Sequence, residues 1–239
     1  MQKIAVIIPA YNEESSIALV VNEVNEFAKN KEFKIIAVVV NDWSRDSTSQ
    51  IIAKLNCVSL NLPINLGIGG AVQTGFKYAL ENNFNIAIQL DGDGQHPPAE
   101  IEKLLKEMKS TGVDVVIGSR FISNDGFQSS MIRRMGINYF KWLNHLLVGI
   151  KISDSTSGFR MINKKALELV CEYYPDEYPE PEAIILFAKR NLKISEAQVL
   201  MRERQGGKSS INSFSAVYYM FKVTLAILFT FVRLKVNKL

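Results

Sequence analysis

The strongest constraint on this chain is a set of short runs that are apolar throughout and stop at polar residues. Lys3 to Pro9, Lys34 to Val40, residues 85–90 and Asp114 to Gly118 each read as a strand. A strand with one wet face alternates apolar and polar residues. These runs do not, so both faces must be covered, as in a parallel sheet held between helices. The intervening segments supply the helices. Ile17, Val20, Val21, Val24 and Ala28 recur at helical spacing, and Ile101, Leu104, Leu105 and Met108 share one face of a helix over 98–109. Helices are also expected over 47–55, from Asn65 to about Asn82, over 130–148 and over 164–173, and from Tyr178 through Arg190. A short strand is expected near Val58 to Leu60 and a last one over Lys193 to Met201, with Asp154 to Arg160 as a polar loop. Strands alternating with helices over short links predict one α/β domain with an open, mostly parallel, Rossmann-like sheet. Such sheets bind ligands at the carboxyl ends of their strands.

The stretch Ile86-Ala87-Ile88-Gln89-Leu90-Asp91-Gly92-Asp93-Gly94-Gln95-His96-Pro97-Pro98 carries the chemistry. It reads as a buried strand ending in two carboxylates separated by one glycine. Alternation along an extended chain would point Asp91 and Asp93 the same way. Two carboxylates side by side repel unless a cation lies near them, and oxygen ligands suit Mg2+ or Mn2+. An EF-hand calcium loop does not fit, because His96 stands where that loop needs glycine and a strand precedes it.

Cys57 and Cys171 stand alone, so neither a disulfide framework nor a zinc site is indicated, and a reducing, cytosolic setting fits. Ile4 to Ile8 is too short an apolar run for a signal peptide. Charge is unevenly placed: residues 1–188 carry a net charge of −4 and residues 189–239 a net charge of +8. A basic, apolar tail points to an anionic membrane surface rather than to nucleic acid. Phe214 to Val232 is apolar except for Lys222 and a few hydroxyls. Lys222 leaves ten residues before Arg233, so a helix lying in the membrane interface, or embedded beside a membrane partner, is expected over a free span. The alternative is a buried core helix. On the helix over 130–148, Ile132, Met135, Tyr139, Leu143 and Leu146 form one face, and Arg134, Asn138, Lys141 and His145 form a polar stripe. That stripe fits a plain surface helix or an interfacial one. Arg202 to Ser210 combines cations, glycines and hydroxyls in a loop suited to phosphate oxygens or to a plain linker.

Several motifs then agree in order: Pro9-Ala10-Tyr11-Asn12-Glu13-Glu14, Asn41-Asp42-Trp43-Ser44-Arg45-Asp46-Ser47-Thr48, Asn65-x-Gly67-x-Gly69-Gly70-Ala71 and Asp91-x-Asp93. The chain resembles the family 2 glycosyltransferases, with their single glycosyltransferase A-type domain. Gly118-Ser119-Arg120, Asp154 to Arg160 and Arg204-x-x-Gly207-x-Ser209 resemble the polyprenyl-phosphate, dolichol-phosphate-mannose-synthase-like branch.

The resemblance implies a nucleotide-diphospho-sugar donor, UDP-linked, and a polyprenyl phosphate acceptor. It implies that Pro9, Tyr11, Glu13 and Asp42 line the nucleoside pocket and that Gly67, Gly69 and Gly70 let backbone approach the donor. By the same resemblance Asp91 and Asp93 would hold the metal, with Gln95 beside them. Arg202, Arg204 and Lys208 would close over the diphosphate, and Arg120, Arg133 and Arg134 are the candidates for the acceptor phosphate. Asp93, Asp154, Arg160 and Glu182 are the catalytic candidates. An anionic phosphate acceptor needs positioning more than deprotonation, so direct displacement with inversion is expected. A hydroxyl acceptor would need a base, for which Asp154, Glu180 and Glu182 are the candidates.

The catalytic domain is expected over 1–210, with a membrane-associating helix over 211–239 at the cytoplasmic face. Larger relatives carry a multi-span tail, and here a small membrane protein would be the partner to supply it. The chain departs from the pattern at Asn41, where an aspartate is usual, and at Trp43, where a glycine is usual. Lys208 also precedes Ser209, where a lysine often follows the serine. Tryptophan adopts positive φ only at a cost, so a locally different loop is expected there.

Overall fold

A computed structural model describes residues 2–29, 31–122, 131–177, 179–202 and 213–234. The expected strands form, as β1 (Lys3–Ala10), β2 (Lys34–Asn41), β3 (Val58–Asn61), β4 (Ile86–Gln89), β5 (Val115–Ser119) and, last in the chain, β7 (Ile194–Gln198). A seventh, β6 (Arg160–Asn163), was not expected. It lies in the middle of one sheet of order β3-β2-β1-β4-β6-β5-β7 and runs antiparallel to both neighbours, while the other pairings are parallel. Two apolar residues, Met161 and Ile162, between Arg160 and Asn163 give too short a run to announce a central strand.

Two helical layers cover the sheet. On one face α1 (Ile17–Ala28), α2 (Thr48–Ile52) and α4 (Ile101–Thr111) enclose a core with Val6, Ile8, Val39 and Ile88. On the other, α3 (Gly67–Glu81), α6 (Lys164–Glu172) and α7 (Pro179–Lys189) enclose Ala5, Ile7, Val38 and Ile117. The alternating residues of β1 are thus divided between two cores, which is why its sequence does not alternate.

The remaining helices, α5 (Met131–Val148) and α8 (Ser213–Arg233), build a third cluster on α7: Phe140, Leu143, Ile185, Val223 and Ile227. The packed face of α5 is Ile137, Phe140, Leu143 and Asn144, whereas Met135 and Leu146, expected to share a face with Leu143, point outward with Trp142. The helix is apolar on more than one side, so its periodicity does not choose the inner one. On α8 the face opposite Val223 and Ile227 exposes Phe221, Phe229 and Val232, Phe229 at 71%. Lys222 pairs with Glu177. Among the described residues no helix is long and apolar enough to cross a membrane.

Candidate active site

β1 and β4 are neighbours, but the chain runs on from β1 to β2 in one direction across the sheet and from β4 to β5 in the other, and the crevice at such a switch point is where an open α/β sheet takes its ligand. Three loops meet there. After β1, Tyr11 is exposed and Asn12 turns with φ +57°. After β2, Trp43 takes φ +60°. The tryptophan therefore adopts the conformation a glycine would, which corrects the expectation of a different loop. Neighbouring groups hold it: Ser44 N–H donates to Asn41 Oδ1 (3.1 Å), Asn12 N–H to Ser44 Oγ (3.0 Å) and Arg45 N–H to Asn12 Oδ1 (2.8 Å). Glu13 N–H donates to Thr48 Oγ1 at 2.9 Å, and Ser16 Oγ donates to the Glu13 carboxylate at 2.8 Å.

Asp42 is buried and accepts the N–H groups of Leu66 (2.7 Å) and Gly67 (2.9 Å), at the start of α3. It ties β2 to that helix terminus, where a negative charge is favoured. Burial nevertheless raises its pKa, outweighing the two backbone donors. Two glycines of α3 are closely packed against the chain itself. A side chain on Gly69 would put its Cβ 2.1 Å from the Pro175 carbonyl oxygen, and one on Gly70 would meet Leu66 Cβ at 2.6 Å. Gly69 N–H donates to Asp176 O at 2.8 Å, so this glycine seats the segment leading into α7.

The third loop carries the carboxylate pair. β4 ends at Gln89, so Asp91 and Asp93 lie in the turn beyond it, and strand alternation does not set their directions. Asp93 is buried and its Oδ1 accepts Gln95 N–H at 3.0 Å, while the Asp91 side chain is 35% exposed. Gly158 makes room for Asp91: a Cβ there would lie 2.9 and 3.1 Å from its two carboxylate oxygens. Behind it, Asp91 N–H donates to His96 Nδ1 (3.3 Å), and the His96 ring stacks on Phe159 at 5.1 Å. Among the described residues no third His, Cys, Asp or Glu completes a metal cluster. Two carboxylates fit a magnesium-type ion, which takes one or two such ligands and completes its shell with water and substrate phosphate.

Beneath the pair lies a buried polar layer. Gln89 and Arg160 face each other across the β4–β6 pairing. Gln89 accepts from Tyr174 Oη (3.4 Å) and donates to Glu180 Oε1 (3.5 Å). Arg160 donates to the carbonyls of Ser157 (2.8 Å) and Ser155 (3.0 Å), and its buried Nη1 has no hydrogen-bond partner among the described residues. Burial raises the pKa of Glu180, the Arg160 guanidinium opposes the rise and Asp91 adds to it.

Residues 5–170 match the family model described as "Glycosyl transferase family 2". The chain belongs to that family. It is 34% identical over 200 residues to an uncharacterised Methanocaldococcus jannaschii protein, covering 82% of this chain and 80% of the other. It is 32% identical over 216 residues to a UDP-N-acetylglucosamine–dolichyl-phosphate N-acetylglucosaminyltransferase of Methanococcus voltae, covering 82% and 84%. A polyprenol monophosphomannose synthase of Mycolicibacterium smegmatis is 26% identical, covering 93% and 86%. In fold, the chain is similar to glucosyl-3-phosphoglycerate synthase of Mycobacterium tuberculosis, crystallised with Mn2+, UDP-glucose and phosphoglyceric acid. The TM-score is 0.75 at 14% identity, over 96% of this chain and 80% of that one.

In this glycosyltransferase the other expected site residues divide into three groups. Gln95 and Arg202 are joined near the pair: Arg202 N–H donates to Gln95 O at 2.9 Å, and its guanidinium meets Glu23 at 2.7 Å. Asp154 and Arg120 are each other's partners, fully and nearly fully buried, with contacts of 2.6 and 2.7 Å. The Asp154 oxygens also take Arg120 N–H and Thr156 Oγ1, so its lone pairs are filled and it has a structural job rather than that of a base. Glu182 points away from the crevice, accepting Tyr173 Oη (3.3 Å) and Thr230 Oγ1 (2.5 Å) of α8. Glu180, two residues earlier, is the carboxylate near Asp91, because residues two apart on a helix diverge by about 200°.

Arg134 lies 5.8 Å from the Phe121 ring, which Arg120 approaches at 5.0 Å. It lines a cavity of about 120 Å³ with Phe121, Ile137, Asn138, Lys141 and Ser153. Arg204, Lys208 and the Arg133 side chain lie outside what the structure describes. His96, Tyr174, Gln89 and Gly158 were not singled out for function. Only Gln89, a buried polar residue inside an apolar strand, left a sign in the sequence.

Proposed function

We propose that this protein moves a sugar from a UDP-linked donor to a polyprenyl phosphate at the cytoplasmic face of a membrane, by inverting, metal-dependent displacement. The observation that carries the reading is the carboxylate pair Asp91–Asp93 at the switch point of the sheet, beside the built loops of β1 and β2. Relatives named for dolichyl and polyprenyl phosphate transfer support the acceptor. A fold neighbour crystallised with Mn2+ and UDP-glucose supports the donor and the ion. A bound Mg2+ or Mn2+ on Asp91 and Asp93 would neutralise diphosphate charge as the leaving group departs.

The chain's own residues do the rest. Gly158 and His96 hold Asp91 in place, Asp42 anchors α3, and Gln95 and Arg202 join the site to the segment that follows β7. A lipid phosphate is already anionic, so Glu180 need not act as a base and serves to position Gln89 and Arg160. If the acceptor is a hydroxyl, Glu180 is the carboxylate near enough to Asp91 to serve, and its raised pKa suits proton abstraction.

The exposed apolar residues of α5 and α8 fit a lipid interface, with Arg134, Lys141 and Arg233 on the same helices for anionic headgroups. A small membrane protein is the alternative occupant of that face. The test is transfer from radiolabelled UDP-N-acetylglucosamine or UDP-glucose to purified polyprenyl phosphate, with Mn2+ or with EDTA. Metal-dependent label in the organic phase is expected. Label found only in a water-soluble saccharide would overturn the acceptor, and EDTA-insensitive transfer would overturn the ion.

A further inference from the structure

Among the described residues, four non-glycine positions take a left-handed backbone, and three are asparagines, which tolerate it. The fourth is Trp43. An aromatic residue held there costs stability, and the cost is not recovered in packing, because the side chain is 44% exposed. The loop is nevertheless held in that shape by the hydrogen bonds of Asn41, Ser44 and Asn12. The Arg45 guanidinium lies over the indole at 5.0 Å, which orients the ring while the residue stays open to solvent. The position is informative as well. Trp43 follows directly after β2, and β2, β1 and β4 are successive neighbours in the sheet. Two strand spacings, about 10 Å, separate the end of β2 from that of β4, where the carboxylate pair lies. A ribose and a diphosphate can bridge that gap, so a donor whose diphosphate lies at Asp91 carries its base over the end of β2.

We infer that Trp43 is the stacking wall for the nucleobase of a nucleoside diphosphate donor, with Arg45 backing the ring. The inference rests on the donor reading above and assigns to this residue the recognition of the base. Tyr11, exposed at the end of the adjacent strand, is placed to bound the same pocket from the β1 side. Stacking recognises any π face, so the wall contributes affinity for the nucleoside more than choice among bases.

The chain has two tryptophans, so Trp142→Phe leaves Trp43 as the single indole reporter. Titrating that variant with UDP should quench its fluorescence saturably, while inorganic pyrophosphate should not. Calorimetry should show UDP binding weakened roughly tenfold or more in Trp43→Gly and largely kept in Trp43→Phe, as loss of one base–aromatic stack implies. The melting temperature of Trp43→Gly should equal or exceed that of the parent, because glycine relieves the backbone. UDP binding with no quench and an unchanged Kd in Trp43→Gly would overturn the wall and leave the donor reading intact. An equal quench by pyrophosphate would also overturn it. If no nucleoside diphosphate binds the parent protein, the donor reading falls and the inference with it.

Discussion

The crevice edge of the sheet and the α5–α8 face are both exposed, but they are built in opposite ways. At the crevice, side-chain and backbone hydrogen bonds lock three loops, a tryptophan is held in a left-handed turn, and carboxylates are buried or half-buried. On the α5–α8 face, helices packed through Val223 and Ile227 turn Phe221, Phe229 and Trp142 to the outside. The first surface is preorganised for a charged, directional ligand, which returns the cost of ordering polar groups. The second asks only for apolar area and suits a fluid, non-directional partner.

The largest effect expected at the crevice is from Asp91→Asn, which should lower kcat by roughly 10²–10³ with the melting temperature preserved, as loss of a key electrostatic group does. Turnover close to the parent's would break the contrast, since the edge would then hold nothing essential. Next is Asp154→Ala. It leaves the Arg120 guanidinium buried without its partner and should destabilise by about 3–5 kcal/mol in urea unfolding. A small loss would mean that the pair is wetter than the geometry states.

On the other face the two sides of α8 should respond differently. Ile227→Ala, at a fully buried position, should cost about 2–5 kcal/mol of stability, whereas Phe229→Ser should change it by less than about 0.5 kcal/mol. Phe229→Ser should instead weaken flotation with anionic vesicles about tenfold, from the roughly 1.5–3 kcal/mol of a buried phenylalanine. Equal flotation of parent and variant would sharpen the choice toward a protein partner.

The smallest effect separates Glu182 from Glu180. Burial raises the Glu182 pKa above its ordinary 4.5, so the native state binds more protons than the unfolded one across that interval. The destabilisation is absent below the unfolded value and complete above the folded one. Glu182→Gln keeps an acceptor for Thr230 and Tyr173, and should gain stability over the parent as pH rises from 4.5, with activity kept. A pH-independent difference in melting temperature, or lost turnover, would bring Glu182 back toward the crevice.

The legible parts of this molecule share a physical cause. Strands covered on both faces must be apolar throughout, and a carboxylate pair at a strand end announces itself by type and spacing, so the sheet's first half and Asp91–Asp93 could be read directly. The positive φ of Trp43 could not, because the neighbours that hold it come from the β1 loop as well as its own. Strand β6 was hidden because only Met161 and Ile162 of its four residues are apolar, yet it brings Arg160 opposite Gln89 beneath the carboxylates. Gly69 of α3 seats residues 175 and 176, a long-range contact that its sequence neighbours do not announce.

Local chemistry in the sequence alone determined the alternating α/β framework, the acidic turn after β4 and the apolar, basic end of the chain. Only the tertiary structure decided which carboxylate of Glu180 and Glu182 meets the crevice, that Asp154 belongs to Arg120, and which side of α5 faces outward. Those outcomes depend on how helices rotate and loops meet in the packed core, and no residue carries that information until its distant neighbours are in place.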